Sequence, residues 1–269
     1  MTKKKKVTTA TVTTVTEEIV SSNDKTQIIC ILDRSGSMAD KNLIVEAISG
    51  FNNFLDEQKK LKDKATLTVA LFDDQYQLLY DDVDIQKVEK ITKDIWSPRG
   101  MTALYDAIGK TINTVKTNRA KLGSEKPGKV LVCIVTDGLE NASQEYNRES
   151  IKKLIKDCVG EDWNFIYLAA NQNAFDVGGS FGVSYGNTYN FVASAAGASA
   201  MSMTLNNATL SYRSMSVGSS AYQKKSKNLI GGLDEEDKEN DEPENQGDNT
   251  VTGTATGNVT FDVNNVSHT

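Results

Sequence analysis

Polar and apolar positions along the chain fall into short apolar runs separated by stretches with helical spacing. The first run, Gln27-Ile-Ile-Cys-Ile-Leu, is unbroken after one polar residue. A run that short predicts a strand buried on both faces, as in a parallel sheet. It breaks at Asp33-Arg-Ser-Gly-Ser-Met, and a helical pattern begins near Asp40, with apolar residues at Leu43, Ile44, Ala47, Ile48, Phe51, Phe54 and Leu55 over residues 40–60. A second strand is predicted over 66–72. Asp73-Asp74 form a turn, and 76–83 return as an antiparallel edge strand. A short amphipathic stretch spans Ile85 to Ile95. Pro98 and Gly100 break the chain before a helix carrying Leu104, Ala107, Ile108, Ile112 and Val115, and 119–129 form a polar loop. Val130 to Thr136 is the most apolar strand and ends in Asp137-Gly138. A helix over 149–159, a strand from Trp163 to Ala170, a short helix within 171–182, a short strand from Tyr189 to Val192 and a long helix over 194–217 complete the pattern.

Strands alternating with helices from residue 27 to about 220 predict an α/β, doubly wound domain. Its sheet is mostly parallel, with one antiparallel edge strand. In such a sheet the first and fourth strands commonly lie side by side at the switch point, and ligands bind beyond the strands' C-terminal ends. The organisation expected is an arm over 1–25, a domain over 26–222 and an acidic tail without fold of its own over 223–269. Residues 7–20 are rich in Thr and Val, and suit an exposed or edge strand. A similar Thr/Val/Gly composition returns over 249–266.

Charge changes this picture in one respect. Residues 233–248 hold nine acids against Lys238, a charge of −8, while the whole chain carries −6; the rest is therefore close to neutral at +2. No basic footprint for nucleic acid is present. The mean hydropathy of −0.42 and the lack of a long apolar run argue against a membrane span. Four lysines at the N-terminus are followed by Thr and Glu rather than an apolar segment, unlike an export signal. Three widely spaced cysteines, Cys30, Cys133 and Cys158, suit buried thiols in a reducing compartment. A single histidine, His268, removes most histidine catalysis and most zinc sites. The expected location is the cytoplasm, or a virion if the chain is phage-encoded.

The candidate chemistry lies at the strand ends. Asp33, Ser35 and Ser37 come from the first loop, Thr102 from a second and Asp137 from a third. Two carboxylates and three hydroxyls offer only hard oxygens, which suit Mg²⁺ first and Mn²⁺ second, with at least one coordination position left open. Any one piece has a plainer explanation: the serines and Thr102 as helix caps, Asp137-Gly138 as a turn. Their joint placement at successive strand-to-helix or loop-to-helix junctions favours a site. Asp73 and Asp74 are explained by a hairpin turn, Asp106 by the helix, and Glu140 and Asn141 by the rim of the site.

Asp33-Arg-Ser-Gly-Ser, Thr102 within Gly-Met-Thr-Ala-Leu-Tyr-Asp-Ala, and Thr-Asp137-Gly resemble the von Willebrand factor A domain, with its metal-ion-dependent adhesion site of Asp-x-Ser-x-Ser, a distant Thr and a distant Asp. The resemblance covers about residues 26–218. It is nearest to small standalone bacterial and phage members, in which a segment like Leu168-Ala-Ala-Asn-Gln-Asn-Ala-Phe leads into the last helices. Met101 departs from the glycine many relatives have before the threonine. The resemblance implies divalent-metal-dependent protein binding, not catalysis. The partner expected presents an Asp or Glu carboxylate, for example on an ATPase or an assembly component. Two other functions compete. One is a Mg²⁺-dependent phosphatase with Asp33 as nucleophile, against which Ser35 stands where the usual second acid would be. The other is a virion or envelope protein that assembles through its Thr/Val-rich tails.

Overall fold

The computed structural model describes residues 25–123 and 127–231. These form a six-stranded sheet in the order β3-β2-β1-β4-β5-β6. The strands are β1 (Thr26–Asp33), β2 (Ala65–Phe72), β3 (Tyr76–Asp84), β4 (Lys129–Thr136), β5 (Trp163–Ala170) and β6 (Thr188–Phe191). All neighbouring pairs are parallel except β2 with β3. The antiparallel strand is the sheet's edge, as its pattern of half-exposed residues requires.

Both faces of the central strands are covered, which explains their unbroken apolar runs. Ile28, Cys30 and Leu32 of β1 and Leu131, Cys133 and Val135 of β4 face one core, under α1 (Leu43–Lys59), α5 (Ala195–Ser214) and α6 (Ser220–Lys225). Ile29 and Ile31, with Val130, Val132 and Ile134, face the other, under α2 (Leu104–Leu122), α3 (Arg148–Gly160) and α4 (Ala174–Ser180). The three cysteines are free and buried in these cores. Among the described residues no helix is long and apolar enough to cross a membrane.

Several boundaries differ from the sequence pattern. The segment after Ser35 first makes a 3-10 turn, Gly36–Asn42, and only then the α-helix. Of the stretch from Ile85 to Ile95 only Ile85–Lys87 is helical, as one 3-10 turn. Its apolar side chains Ile85, Val88 and Ile91 are buried, as the amphipathic pattern requires. The second helix continues to Leu122, through part of the expected polar loop, because Arg119 packs its guanidinium 5.5 Å from the Trp163 ring and donates to Gln27 and the Pro127 carbonyl. At the other end the packed chain runs to Gly231, past the boundary placed at 222. Here Asn187 accepts from the Leu229 amide, and the Ile230 amide donates to the Gly186 carbonyl. The expected strand over 7–20, the acidic run and the segment 249–266 lie outside the described residues.

The helix pair over the first core is held close by a glycine. A Cβ on Gly50 of α1 would overlap the Ser202 hydroxyl and come within 2.7 Å of Ser202 Cβ on α5. Gly50→Ala, which in an open helix stabilises by about 1 kcal/mol, is therefore expected to destabilise here by about 1–3 kcal/mol through overpacking. Urea unfolding followed by circular dichroism checks the sign; a stabilised variant would show that the helices separate freely.

Candidate metal centre

The topology places the two key carboxylates. β1 and β4 are neighbours, paired in register from Thr26 with Lys129 to Leu32 with Val135. Asp33 ends β1, and Asp137 follows the last residue of β4. The chain leaves β1 toward β2 on one side and has β4 on the other, so these ends flank the sheet's switch point.

Asp33 is fully buried. One carboxylate oxygen accepts from the Ser35 amide at 2.6 Å, the other from the Thr136 hydroxyl at 2.6 Å. Its backbone carbonyl accepts from the Trp96 indole at 2.9 Å. Burial pushes the Asp33 carboxyl up from its usual range, and the Thr136 and Ser35 hydrogen bonds oppose that. In Asp137, Oδ1 accepts from the Ser37 hydroxyl at 2.8 Å, while Oδ2 is buried and has no hydrogen-bond partner among the described residues. Burial raises this carboxyl to about 6; the Ser37 hydrogen bond opposes the shift and the charge of Asp33 adds to it.

The hydroxyls converge on the same place. Ser35 and Ser37 Oγ are 3.1 Å apart. A Cβ built on Gly138 would lie 2.9 Å from Thr102 Oγ1, 3.5 Å from Ser37 Oγ and 3.7 Å from Ser35 Oγ. All five residues singled out in the sequence are thus brought together. The capping alternative does not hold for the serine and threonine at the helix starts. Ser35, at the start of the 3-10 turn, makes no side-chain cap, and the cap position of α2 is Ala103 rather than Thr102. The first amides of α2 are instead met from the β4–α3 loop, by Glu140 on the Tyr105 amide at 3.0 Å and Ser143 on the Asp106 amide at 3.0 Å.

The donor set fits a hard divalent cation. Two neighbouring carboxylates are buried, and among the described residues no lysine or arginine forms an ion pair with either. A buried carboxylate without a compensating positive charge is costly. An unpartnered carboxylate oxygen and three hydroxyls around a space that a single Cβ would fill are what such a cation uses. Among the described residues no group of three or more His, Cys, Asp or Glu could hold a metal, so the hydroxyls are essential to this candidate.

The surrounding loops contribute residues that the sequence pattern left at the rim or passed over. Asn141 locks Thr102 in place: its side chain accepts from the Thr102 amide at 2.8 Å, and its amide donates to the Thr102 carbonyl at 3.0 Å. Asn171 donates to the Asp137 carbonyl and Gln172 to the Gly138 carbonyl, both at 3.1 Å. Asp106 accepts from the amides of Gln144, Glu145 and Tyr146 and so fixes the same loop. Asn171 and Gln172 could have been suspected from their place directly after β5, beside the β4 end.

The chain matches no protein-family model and no curated protein sequence. It is similar to solved structures at low identity. Proximal thread matrix protein 1 from the mussel byssus matches with a TM-score of 0.50 and 17% identity, over 70% of this chain and 47% of that one. The same mussel protein with a zinc-occupied MIDAS motif matches at 0.48 and 15%, over 70% and 46%. A von Willebrand factor type A structure from Catenulispora acidiphila matches at 0.47 and 12%, over 68% and 42%. This chain spans about half the length of each. The fold is a doubly wound, mostly parallel α/β fold, similar to that of the mussel protein.

The raised Asp137 carboxyl has a consequence for stability. Unfolded, it titrates near 3.8; folded and free of metal, near 6. The folded chain holds the extra proton between these values, so this contribution is fully present below pH ~4 and lost as pH rises through ~6. In chelator, the stability difference between the parent and Asp137→Asn should therefore grow in favour of the variant as pH rises across that window. A difference independent of pH would contradict the assignment.

Proposed function

We propose that the chain is a divalent-metal-dependent protein-interaction module. Asp33, Ser35, Ser37, Thr102 and Asp137 would hold Mg²⁺, with Mn²⁺ as the alternative, and a carboxylate of a partner protein would complete the site. The observation that carries this reading is the pair of buried carboxylates to which, among the described residues, no cation is paired and one oxygen of which has no hydrogen-bond partner. When bound, the cation supplies an electrophilic position that attracts an anionic oxygen.

The chain's own residues perform the rest. Asp33, held from both sides by Ser35 and Thr136, fixes the charge at the bottom of the site. Ser37 bridges Ser35 and Asp137 and keeps Asp137 Oδ1 turned into the site. Neutral hydroxyls make up most of the set, so little anionic charge opposes an incoming carboxylate. The rim favours a protein surface over a small molecule: Met101, next to Thr102, is 56% exposed, and Leu139, next to Gly138, is 59% exposed. Two large apolar side chains beside a polar site suit a partner that covers them. We read the module as binding without catalysis, with Ser35 in place of the second acid that a phosphatase with Asp33 as nucleophile would use.

Calorimetric titration of the full chain with Mg²⁺ is expected to show saturable binding. Asp33→Ala should lose it. Gly138→Ala keeps every ligand but puts a methyl group among the three hydroxyls, and should weaken binding at least tenfold, equivalent to about 1.4 kcal/mol. Capture of a peptide bearing one Asp should then depend on Mg²⁺ and cease in chelator. A parent that binds neither Mg²⁺ nor Mn²⁺, with or without added acetate, would remove the reading.

A further inference from the structure

Asp73 carries more than the hairpin turn that its sequence suggests. It follows β2, the strand that pairs with β1 on the side away from β4, and it is fully buried. Oδ1 accepts from the Gln75 amide at 2.5 Å, which is all that a turn needs. Oδ2 accepts from two guanidinium groups, Arg34 Nε at 3.0 Å and Arg99 Nε at 2.5 Å. Arg34 stands between Asp33 and Ser35; Arg99 lies just ahead of Thr102.

The backbone closes around the same carboxylate. The Arg99 amide donates to the Arg34 carbonyl at 2.8 Å, the Gly36 amide to the Gly100 carbonyl at 3.1 Å, and the Ala103 amide to the Asp73 carbonyl at 2.9 Å. Thr102 is therefore bracketed, with residues 99 and 100 tied to the serine loop and residue 103 tied to Asp73. Gly100 is required at its place. Its φ is +64°, and the Asp74 carboxylate occupies the position a Cβ would take. The two guanidinium groups meet one carboxylate through charge-assisted bonds, which fix direction as well as distance.

We propose that Asp73, through Arg34 and Arg99, is the positioning residue of the metal centre, holding the Thr102 loop against the Ser35–Ser37 loop so that the three hydroxyls face one point. The proposal rests on the metal-centre reading above. Neither Asp73 nor the arginines would touch the cation. Their removal would loosen the geometry of the hydroxyls and leave the ligands chemically intact.

Arg99 provides the test, because its side chain is 51% exposed and Asp73 keeps Arg34 as partner when it is removed. Mg²⁺ affinity is measured by calorimetry on the full chain, and thermal unfolding is followed in chelator. Arg99→Ala should bind Mg²⁺ about 10–100-fold more weakly, as loss of an outer partner of a metal site does, with its unfolding midpoint in chelator unchanged. Thr102→Ala should weaken the parent strongly but add little in the Arg99→Ala background, since the hydroxyl is already misplaced there. Ser37→Ala should keep its full effect in both backgrounds. Arg99→Lys, which can still reach Asp73 with one donor, should recover part of the affinity. A parent that binds Mg²⁺ with an equally tight Arg99→Ala would overturn the positioning role alone, as would independent effects of Arg99→Ala and Thr102→Ala. A parent that binds no divalent cation would overturn the metal-centre reading and this proposal with it.

Discussion

Two carboxylates buried side by side, with no positive charge paired to them among the described residues, are the constraint on which the architecture around the site depends. Asp33 and Asp137 end adjacent parallel strands, and parallel strands bring their ends to the same edge of the sheet. Burial and mutual repulsion both disfavour ionising the pair. A fold that keeps such a pair must satisfy it, and among the described residues the compensation is partial. Asp33 is fully hydrogen-bonded, whereas one oxygen of Asp137 is not. The remaining demand is for a cation, and the neighbouring hydroxyls of Ser35, Ser37 and Thr102 make the space suitable for a hard one.

The rest of the molecule supplies rigidity to that edge. Cores on both faces of β1 and β4 fix the strands, and the loops beyond them are tied to one another rather than to the strands alone. Asn141 holds Thr102 from the β4 side and the Asp73 cluster holds it from the β2 side. A site built of three loops gains its geometry from such outer contacts, since hydroxyls are weak ligands individually and bind well only when preorganised.

Much of this was legible in the sequence because the strongest signals are local. The unbroken apolar runs of β1 and β4 give away burial on both faces, and the acids that end them mark the functional edge. The adjacency of the first and fourth strands followed from the general winding of α/β sheets, and the strand ends that carry Asp33 and Asp137 are neighbours. What was not legible depends on contacts distant in sequence. Asp73 looked like a turn residue, because the Gln75 contact is local while Arg34 and Arg99 reach it across loops. The amphipathic stretch from Ile85 to Ile95 proved to be mostly irregular, with Ile85, Val88 and Ile91 plugging the core. The polar composition of 119–122 concealed a last helical turn anchored by Arg119 on Trp163. The docking of Leu229 and Ile230 beside Gly186 and Asn187 was likewise hidden by the polar segment before it.

The central claim is that the Asp33–Asp137 pair is balanced by a divalent cation among the three hydroxyls. A crystal of the protein grown with Mn²⁺ and measured at a wavelength where manganese scatters anomalously tests it most directly. The account predicts one anomalous peak at direct coordination distance, about 2.1–2.2 Å, from Ser35 and Ser37 Oγ, with Thr102 and Asp137 lining the same space. A map without that peak, from a crystal in which both carboxylates keep only the hydrogen bonds described here, would contradict it.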